Sequence, residues 1–262
     1  MNKLKPLPEE WSGLLNNEQK EAIENINGPL LIIAGAGSGK TRVLTYRYAH
    51  LIKTYGINFE NVLAITFTNK AANEMKDRIS DLLNLELSPK WISTFHSLCV
   101  KMLRIHGHLI GFNNNFTIYD QSDSTKLVRN CMRDSDIDTK QYSPKRIQAH
   151  ISSLKNQRIL PGEAVEFAQS FFDVKVAEIY SSYQKKLMLA NSMDFDDLLI
   201  KAVELLETSD KSLNYWSSKF QYIMIDEYQD TNMVQYRLVE LLASKHKNIC
   251  VVGDSDQSIY AF

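Results

Sequence analysis

The chain has 262 residues, of which 44% are hydrophobic and 23% charged, with a formal net charge of −1. That length and balance fit a soluble globular protein of one or two domains with ample material for a core. The neutral average excludes a globally basic surface, so any nucleic-acid site must be a local groove.

In chain order, the first strong signal is the apolar run Leu30–Ile33 followed by Ala34-Gly35-Ala36-Gly37-Ser38-Gly39-Lys40-Thr41 and a helix-like stretch from Arg42. Strand, glycine-rich turn, Lys-Thr and helix is the order of a phosphate-binding P-loop. Gly35, Gly37 and Gly39 allow backbone conformations that a Cβ forbids. The loop amides, Ala36 and Ser38 included, can then curl around phosphates at the positive end of a helix. Lys40 can reach the β- and γ-phosphates, and the Thr41 hydroxyl can ligate Mg²⁺. Ala34 stands where the strict pattern has glycine. Taken alone, the motif leaves open a glycine-rich turn with an accidental Lys-Thr.

Three further apolar runs read as buried parallel strands: Val62–Thr66, Tyr222–Ile225 and Ile249–Val252. A fourth, Trp91-Ile92-Ser93, precedes Thr94, Phe95 and His96. Helical patterns over Ala71–Leu83 and Val234–Ser244 lie among them. The alternation predicts an α/β fold, a doubly wound parallel sheet of the P-loop NTPase (RecA-like) kind with its ligand at the strand C-termini. From about 97 to 217 the pattern turns mainly helical, with Ser143-Pro144 as a helix start and Pro161-Gly162 as a break. This predicts a discontinuous ATP-binding domain of residues 1–96 and 218–262, interrupted by an inserted helical domain over 97–217.

The run Tyr222–Ile225 ends in Asp226-Glu227. In a P-loop protein such a strand supplies the Mg²⁺-associated aspartate, and the adjacent Glu227 can act as general base toward the attacking water. The run Val251-Val252-Gly253 leads to Asp254-Ser255-Asp256-Gln257, where Gln257 can sense a γ-phosphate. By itself this last run also reads as a polar loop at a strand end.

Cys99, Cys131 and Cys250 are widely spaced and lack metal-ligand spacing, as expected of reduced thiols in a cytoplasmic protein. The start, Met1–Pro6, lacks the apolar run of a signal peptide, and no stretch is long and apolar enough to span a membrane.

Several motifs stand in order: Leu15-Asn16-Asn17-Glu18-Gln19, Ala34–Thr41, Thr66-Phe67-Thr68-Asn69-Lys70-Ala71-Ala72, Thr94-Phe95-His96-Ser97, Asp194-Phe195-Asp196-Asp197-Leu198, Asp226–Asn232 and Gly253–Tyr260. Together they resemble the N-terminal motifs of UvrD/Rep-type superfamily 1 DNA helicases, from about residue 15 to the last. The resemblance accommodates Ala34 in the family's own version of the loop. It implies that Gln19 reads the adenine edge and Arg42 packs against the base. Lys40 and Thr41 would hold phosphate and Mg²⁺, with Asp226 on the metal through water. Glu227 would be the catalytic base and Gln257 the γ-phosphate sensor. The implied activity is ATP hydrolysis coupled to 3′→5′ movement along single-stranded DNA and separation of the duplex ahead.

A sequence-tolerant single-strand binder needs aromatic platforms and polar backbone contacts. The candidates are Phe67, Asn69, Lys70, Thr94, Phe95, His96, Phe195, Tyr260 and Phe262. For each aromatic taken singly, core packing is the alternative; the resemblance favours stacking for Phe67, Phe195, Tyr260 and Phe262. Between Thr139 and Gly162 there is no acid, while Lys140, Lys145, Arg146, Lys155 and Arg158 are basic. That stretch is either a solvated helix face or a phosphate-contacting patch toward a duplex junction.

In the resembling family an arginine and a second α/β domain follow the point where this chain stops. The expectation is therefore an N-terminal portion of a longer helicase, which by itself binds ATP weakly and hydrolyses it slowly, with the C-terminal helicase domains as its missing partners. The alternative is a nucleotide-gated strand-binding module without turnover, and RNA as the track is a lesser one.

Overall fold

The computed structural model describes residues 5–35, 37–85 and 89–254. The chain divides into two compact units. One comprises the chain to Leu98, Lys211–Thr231 and the chain from Val239; the other comprises Cys99–Asp210 and Asn232–Leu238.

The first unit opens with helices α1 (Glu9–Ser12) and α2 (Asn17–Glu24), then strand β1 (Leu30–Ile33) and helix α3 (Lys40–Lys53). Strand β2 (Val62–Thr66), helix α4 (Asn69–Leu83) and strand β3 (Ile92–Thr94) follow, and α5 (Phe95–His106) carries the chain into the second unit. There, β4 (Thr117–Tyr119), α6 (Gln121–Asp134), α7 (Pro144–Asn156), α8 (Phe171–Leu189), β5 (Ser192–Asp194) and α9 (Phe195–Thr208) are built. The return runs through α10 (Asp210–Lys219), β6 (Tyr222–Ile225), α11 (Met233–Ala243) and β7 (Ile249–Gly253).

The sheet of the first unit has five strands in the order β1-β7-β6-β2-β3, every pair parallel. Register sets Ile33 opposite Gly253 and Ile225 opposite Val251, so the carboxyl ends of β1, β7 and β6 lie side by side. Three loops therefore open at one sheet edge, as a topological crevice requires. Alternate residues of the strands (Val62 and Ala64, Tyr222 and Met224, Cys250 and Val252) pack with Leu44, Tyr48 and Leu51 of α3 and Met75 and Ile79 of α4. The alternation in which face each residue presents is that of a pleated strand.

On the opposite face, Leu63, Ile65, Ile223 and Ile225 are also buried. Strand β1 differs from its predicted burial: it sits at the sheet margin, with Leu31 and Ile33 exposed at 59% and 62%. The other margin strand, β3, is buried at all three residues, so the exposure of β1 reflects an uncovered face of the sheet rather than edge position alone.

The second unit buries Val128, Cys131 and Met132 of α6, Ile147 and Ile151 of α7, and Val176, Ile179, Tyr180, Tyr183 and Leu187 of α8 in one core. Helix α7 starts with Pro144 at its first position after Ser143. The mainly helical reading omits one feature, a short parallel ladder in which Thr117, Ile118 and Tyr119 pair with Ser192, Met193 and Asp194. Strands this short carry no periodic signal. All three cysteines are free and buried, and no helix among the described residues is long and apolar enough to cross a membrane.

Candidate nucleotide site and strand-binding residues

The P-loop begins where β1 ends. The Ala34 amide donates to the Gly253 carbonyl at 3.1 Å, which extends the β1–β7 ladder by one bond. Gly37 and Gly39 take φ values of 75° and 87°, in the left-handed region that favours glycine. Gly39 is doubly constrained. It is the N-cap residue of α3, and a Cβ there would lie 2.9 Å from Gln19 Nε2. Gln19 approaches because its side chain closes a capping box with Asn16 and also donates to the Ser38 carbonyl at 3.1 Å.

Lys40 is the first residue of α3 and its ammonium folds back into the loop. It donates to the carbonyls of Ala34 (2.9 Å) and Gly35 (3.3 Å) and to Asp254 Oδ2 (3.0 Å). Both members of the Lys40–Asp254 pair are largely buried. The charge is thus held ready among acceptors that phosphate oxygens can replace.

Thr41 points to the end of β6, where its hydroxyl donates to Asp226 Oδ2 at 2.9 Å. Asp226 is 3% exposed. Burial pushes its carboxyl above the usual carboxylate range, and the Thr41 hydrogen bond opposes the shift. A buried carboxylate beside a hydroxyl is a hard, all-oxygen donor set that gains from a divalent cation. Mg²⁺ is usually held by one or two such groups plus phosphates and water, so these residues fit it.

Glu227 adopts a left-handed backbone at φ 52°, a strain of about 1–3 kcal/mol for a non-glycine residue of the kind found at functional sites. Gln229 holds it in place, with Nε2 donating to Glu227 Oε2 at 2.6 Å while Oε1 accepts from the Asp254 amide at 3.1 Å. Gln229 Oε1 would lie only 3.2 Å from a Cβ on Gly253. The glycine ending β7 therefore admits this bridge.

Sequence reasoning missed two residues, Asp254 as the partner of Lys40 and Gln229 as the holder of Glu227. The one available signal is position: Asp254 directly follows β7, and Gln229 lies two residues after Glu227 in the same acidic motif. Arg42 lies over the Tyr46 ring at 5.6 Å, and both line a groove with Thr45, Arg78, Asp81 and Leu82. Ala36 and Gln257 lie outside the described residues.

Of the strand-binding candidates, Asn69 and Lys70 are exposed at the start of α4 and Phe67 is half-buried before them. Thr94 is largely buried and caps α5, its hydroxyl bonded to Ser97 Oγ (3.0 Å) and accepting from the Ser97 amide. His96 is half-buried. Phe95 is a correction: it is 2% exposed and packs edge-on against Phe67 at 5.7 Å, so it serves the core and offers no open face for a base. Phe195, in the second unit, is 52% exposed at the first position of α9. Tyr260 and Phe262 lie outside the described residues.

The basic stretch also needs correcting. Lys140, Lys145 and Arg146 are exposed. Lys155 is wholly buried and pairs with Asp194 (2.7 Å) and Asp197 (2.8 Å), while Arg158 pairs with Glu207 at 2.8 Å. A lysine among buried carboxylates cannot reach a phosphate backbone.

The model of the UvrD/REP helicase N-terminal domain matches residues 15–262. The chain is 49% identical over 248 residues to the ATP-dependent DNA helicase PcrA of Staphylococcus aureus (strain Mu50), covering 95% of this chain and 34% of the relative. The same identity and coverage hold for the ATP-dependent DNA helicase PcrA of Staphylococcus epidermidis (strain RP62A). The chain thus spans about a third of the length of these curated relatives. With the family model covering nearly the whole chain, from before the P-loop to the last residue, this protein belongs to the UvrD/REP helicase family through its N-terminal domain.

Proposed function

We propose that this chain is the N-terminal ATP- and DNA-binding portion of an ATP-dependent 3′→5′ DNA helicase or translocase. The observation that carries the reading is the convergence of Lys40, Thr41, Asp226 and Glu227 at the carboxyl ends of β1 and β6, beside Asp254 at the end of β7. The relatives are named ATP-dependent DNA helicases.

In this reading Lys40 exchanges Ala34, Gly35 and Asp254 for β- and γ-phosphate oxygens, and the α3 N-terminus adds its dipole. Thr41 and Asp226 hold Mg²⁺, which when bound neutralises charge on the phosphates. Glu227, oriented by Gln229, accepts the proton of the attacking water. Gln19 and Arg42 face the base, and Gln257 senses the γ-phosphate on the strength of its motif alone. Phe67, Asn69, Lys70, Thr94, His96 and Phe195 contact single-stranded DNA, with Tyr260 and Phe262 as further platforms and Phe95 supporting Phe67 from the core. The helical unit acts as an inserted domain, and exposed Lys140, Lys145 and Arg146 contact the phosphates of a duplex junction. Buried free cysteines support a reducing, cytoplasmic setting.

The test is equilibrium binding of a fluorescent ATP analogue with Mg²⁺. Lys40→Ala removes a charge-assisted contact worth about 1.5–3 kcal/mol, so affinity should fall roughly tenfold or more. Equal affinity for wild type and variant would remove the nucleotide site from the reading.

A further inference from the structure

We propose that Asn156 is a positioning residue that links the acidic motif of the nucleotide site to Phe195 through the hydrogen-bonded series Asn232–Asn156–Asp196, so that nucleotide occupancy changes single-strand affinity. The inference rests on the helicase reading given above.

The motif that begins with Asp226 and Glu227 is short and stiff. After Glu227 it makes a single helical turn over Tyr228–Asp230, closed by the Asp230 amide on the Glu227 carbonyl (3.0 Å) and the Thr231 amide on the Tyr228 carbonyl (3.1 Å). The chain passes from the first unit to the second between Thr231 and Asn232. Asn232 therefore stands six positions from Asp226 in sequence and is held by the second unit's own residues.

Its side chain is fully used. Oδ1 accepts from the Gln235 amide at 2.9 Å, and Nδ2 donates to Asn156 Oδ1 at 2.9 Å. Gln235 Oε1 accepts from the Asn232 amide in return, at 3.1 Å. Asn156, the last residue of α7, turns its own Nδ2 to the Ser152 carbonyl (2.9 Å) and to Asp196 Oδ1 (3.3 Å). A carbonyl and a carboxylate only accept, so the amide group of Asn156 must face them and its oxygen must face Asn232. The direction of the series is fixed at every link.

The far end is built to respond. Asp194 and Asp197 are pinned by Lys155, and Tyr183 and Gln184 add further bonds to them. Asp196, between them in sequence, makes no ion pair with Lys155 and is held by hydrogen bonds from the Ser152 hydroxyl and from Asn156. It lines a cavity of about 280 Å³ together with Phe195, Ser152 and Gln148. Its bond to Asn156 is also the longest of the series, so a shift of a few tenths of an ångström takes it out of range. Asp196 and the exposed Phe195 are consecutive residues in the first turn of α9. A movement of Asn232 is therefore delivered beside the aromatic platform, while the neighbouring carboxylates stay fixed.

The experiment uses the 262-residue chain, a fluorescein-labelled oligo(dT) strand, and a non-hydrolysable ATP analogue with Mg²⁺. Anisotropy gives the ratio of strand Kd without and with nucleotide. Wild type should show a ratio at least about fivefold from unity, the lower end of typical couplings. In Asn156→Ala that ratio should return to within about twofold of unity, with nucleotide affinity unchanged and nucleotide-free strand affinity within about threefold. Asn156→Asp keeps the acceptor for Asn232 but repels Asp196, and should lose coupling equally. Asn232→Ala combined with Asn156→Ala should lose no more than Asn156→Ala alone, the non-additivity of one series. Hydrogen exchange on the wild type supplies a readout independent of variant folding: nucleotide should alter amide protection at 195–198. An unchanged ratio in Asn156→Ala, a wild-type ratio of one, or no change in protection overturns the proposal while leaving the helicase reading intact. A wild-type chain that binds neither nucleotide nor strand overturns both.

Discussion

Single residues at the proposed nucleotide site carry opposed demands. Asp226 is buried and its carboxyl titrates higher in the folded chain than in the unfolded one. A raised carboxylate pKa adds stability below the unfolded value, and that contribution is lost as pH rises through the folded pKa. The ionised Asp226 therefore destabilises the nucleotide-free fold at neutral pH. Asp226→Asn should raise the melting temperature at pH 8, with the gain over wild type shrinking toward pH 4, and should weaken Mg²⁺-dependent nucleotide binding. A constant difference across pH would show that the carboxylate's charge is not the cause. Glu227 combines a strained backbone with a held side chain. In a longer protein that carries this chain as its N-terminal portion, as proposed above, Glu227→Gln should leave nucleotide affinity in place and cut ATP turnover by about 10²–10⁴, the range for losing a general base. Steady-state phosphate release measures it. Lys40 and Thr41 were legible from the glycine-rich loop between an apolar run and a helix, and Asp226 and Glu227 from the buried run they end. Asp254 as the partner of Lys40, and the Gln229 bridge to the Asp254 amide, were not, because a partner contributed from another loop leaves no local pattern.

At the scale of elements, two helix starts do the positioning. The start of α3 depends on Gly39, where the positive φ strains any side chain and a Cβ would push the Gln19 amide aside. Gly39→Ala should cost about 1–3 kcal/mol of stability from the backbone strain and weaken nucleotide binding further by displacing Gln19, as denaturant unfolding and analogue titration would report. The start of α9 depends on Asp194 and Asp197, a capping box whose two carboxylates share the buried Lys155. Lys155→Met leaves two buried carboxylates without their cation and should destabilise the second unit by about 3–5 kcal/mol. The triple variant with Asp194→Asn and Asp197→Asn should recover much of that loss. The charge run containing Lys155 was visible in sequence, yet its reading as surface failed for this residue. Burial is set by α7 packing against α8, and Lys155 follows Ile147 and Ile151 at four-residue spacing on the inward face of the helix.

For the whole molecule, the sheet is unequally covered. Strands β2 and β6 bury both faces, while β1 exposes Leu31 and Ile33. Denaturation of Ile65→Ala should show a loss of about 2–5 kcal/mol, as for a filled core site. Leu31→Thr and Ile33→Thr should each cost less than about 1 kcal/mol, since their side chains already meet water. Equal losses at both kinds of site would contradict the burial pattern.

The sequence alone determined the α/β class, the parallel strands, the P-loop, the acidic pair and the family, because each is written locally as a strand's apolar run plus the residues that end it. Only the tertiary structure decided the strand order with β1 and β3 at its margins, that Phe95 is interior, that Lys155 pairs with Asp194 and Asp197, that Asp254 neutralises Lys40, and that Asn156 joins Asn232 to Asp196. Those facts depend on which distant segments the fold brings into contact, and no local periodicity or spacing records such contacts.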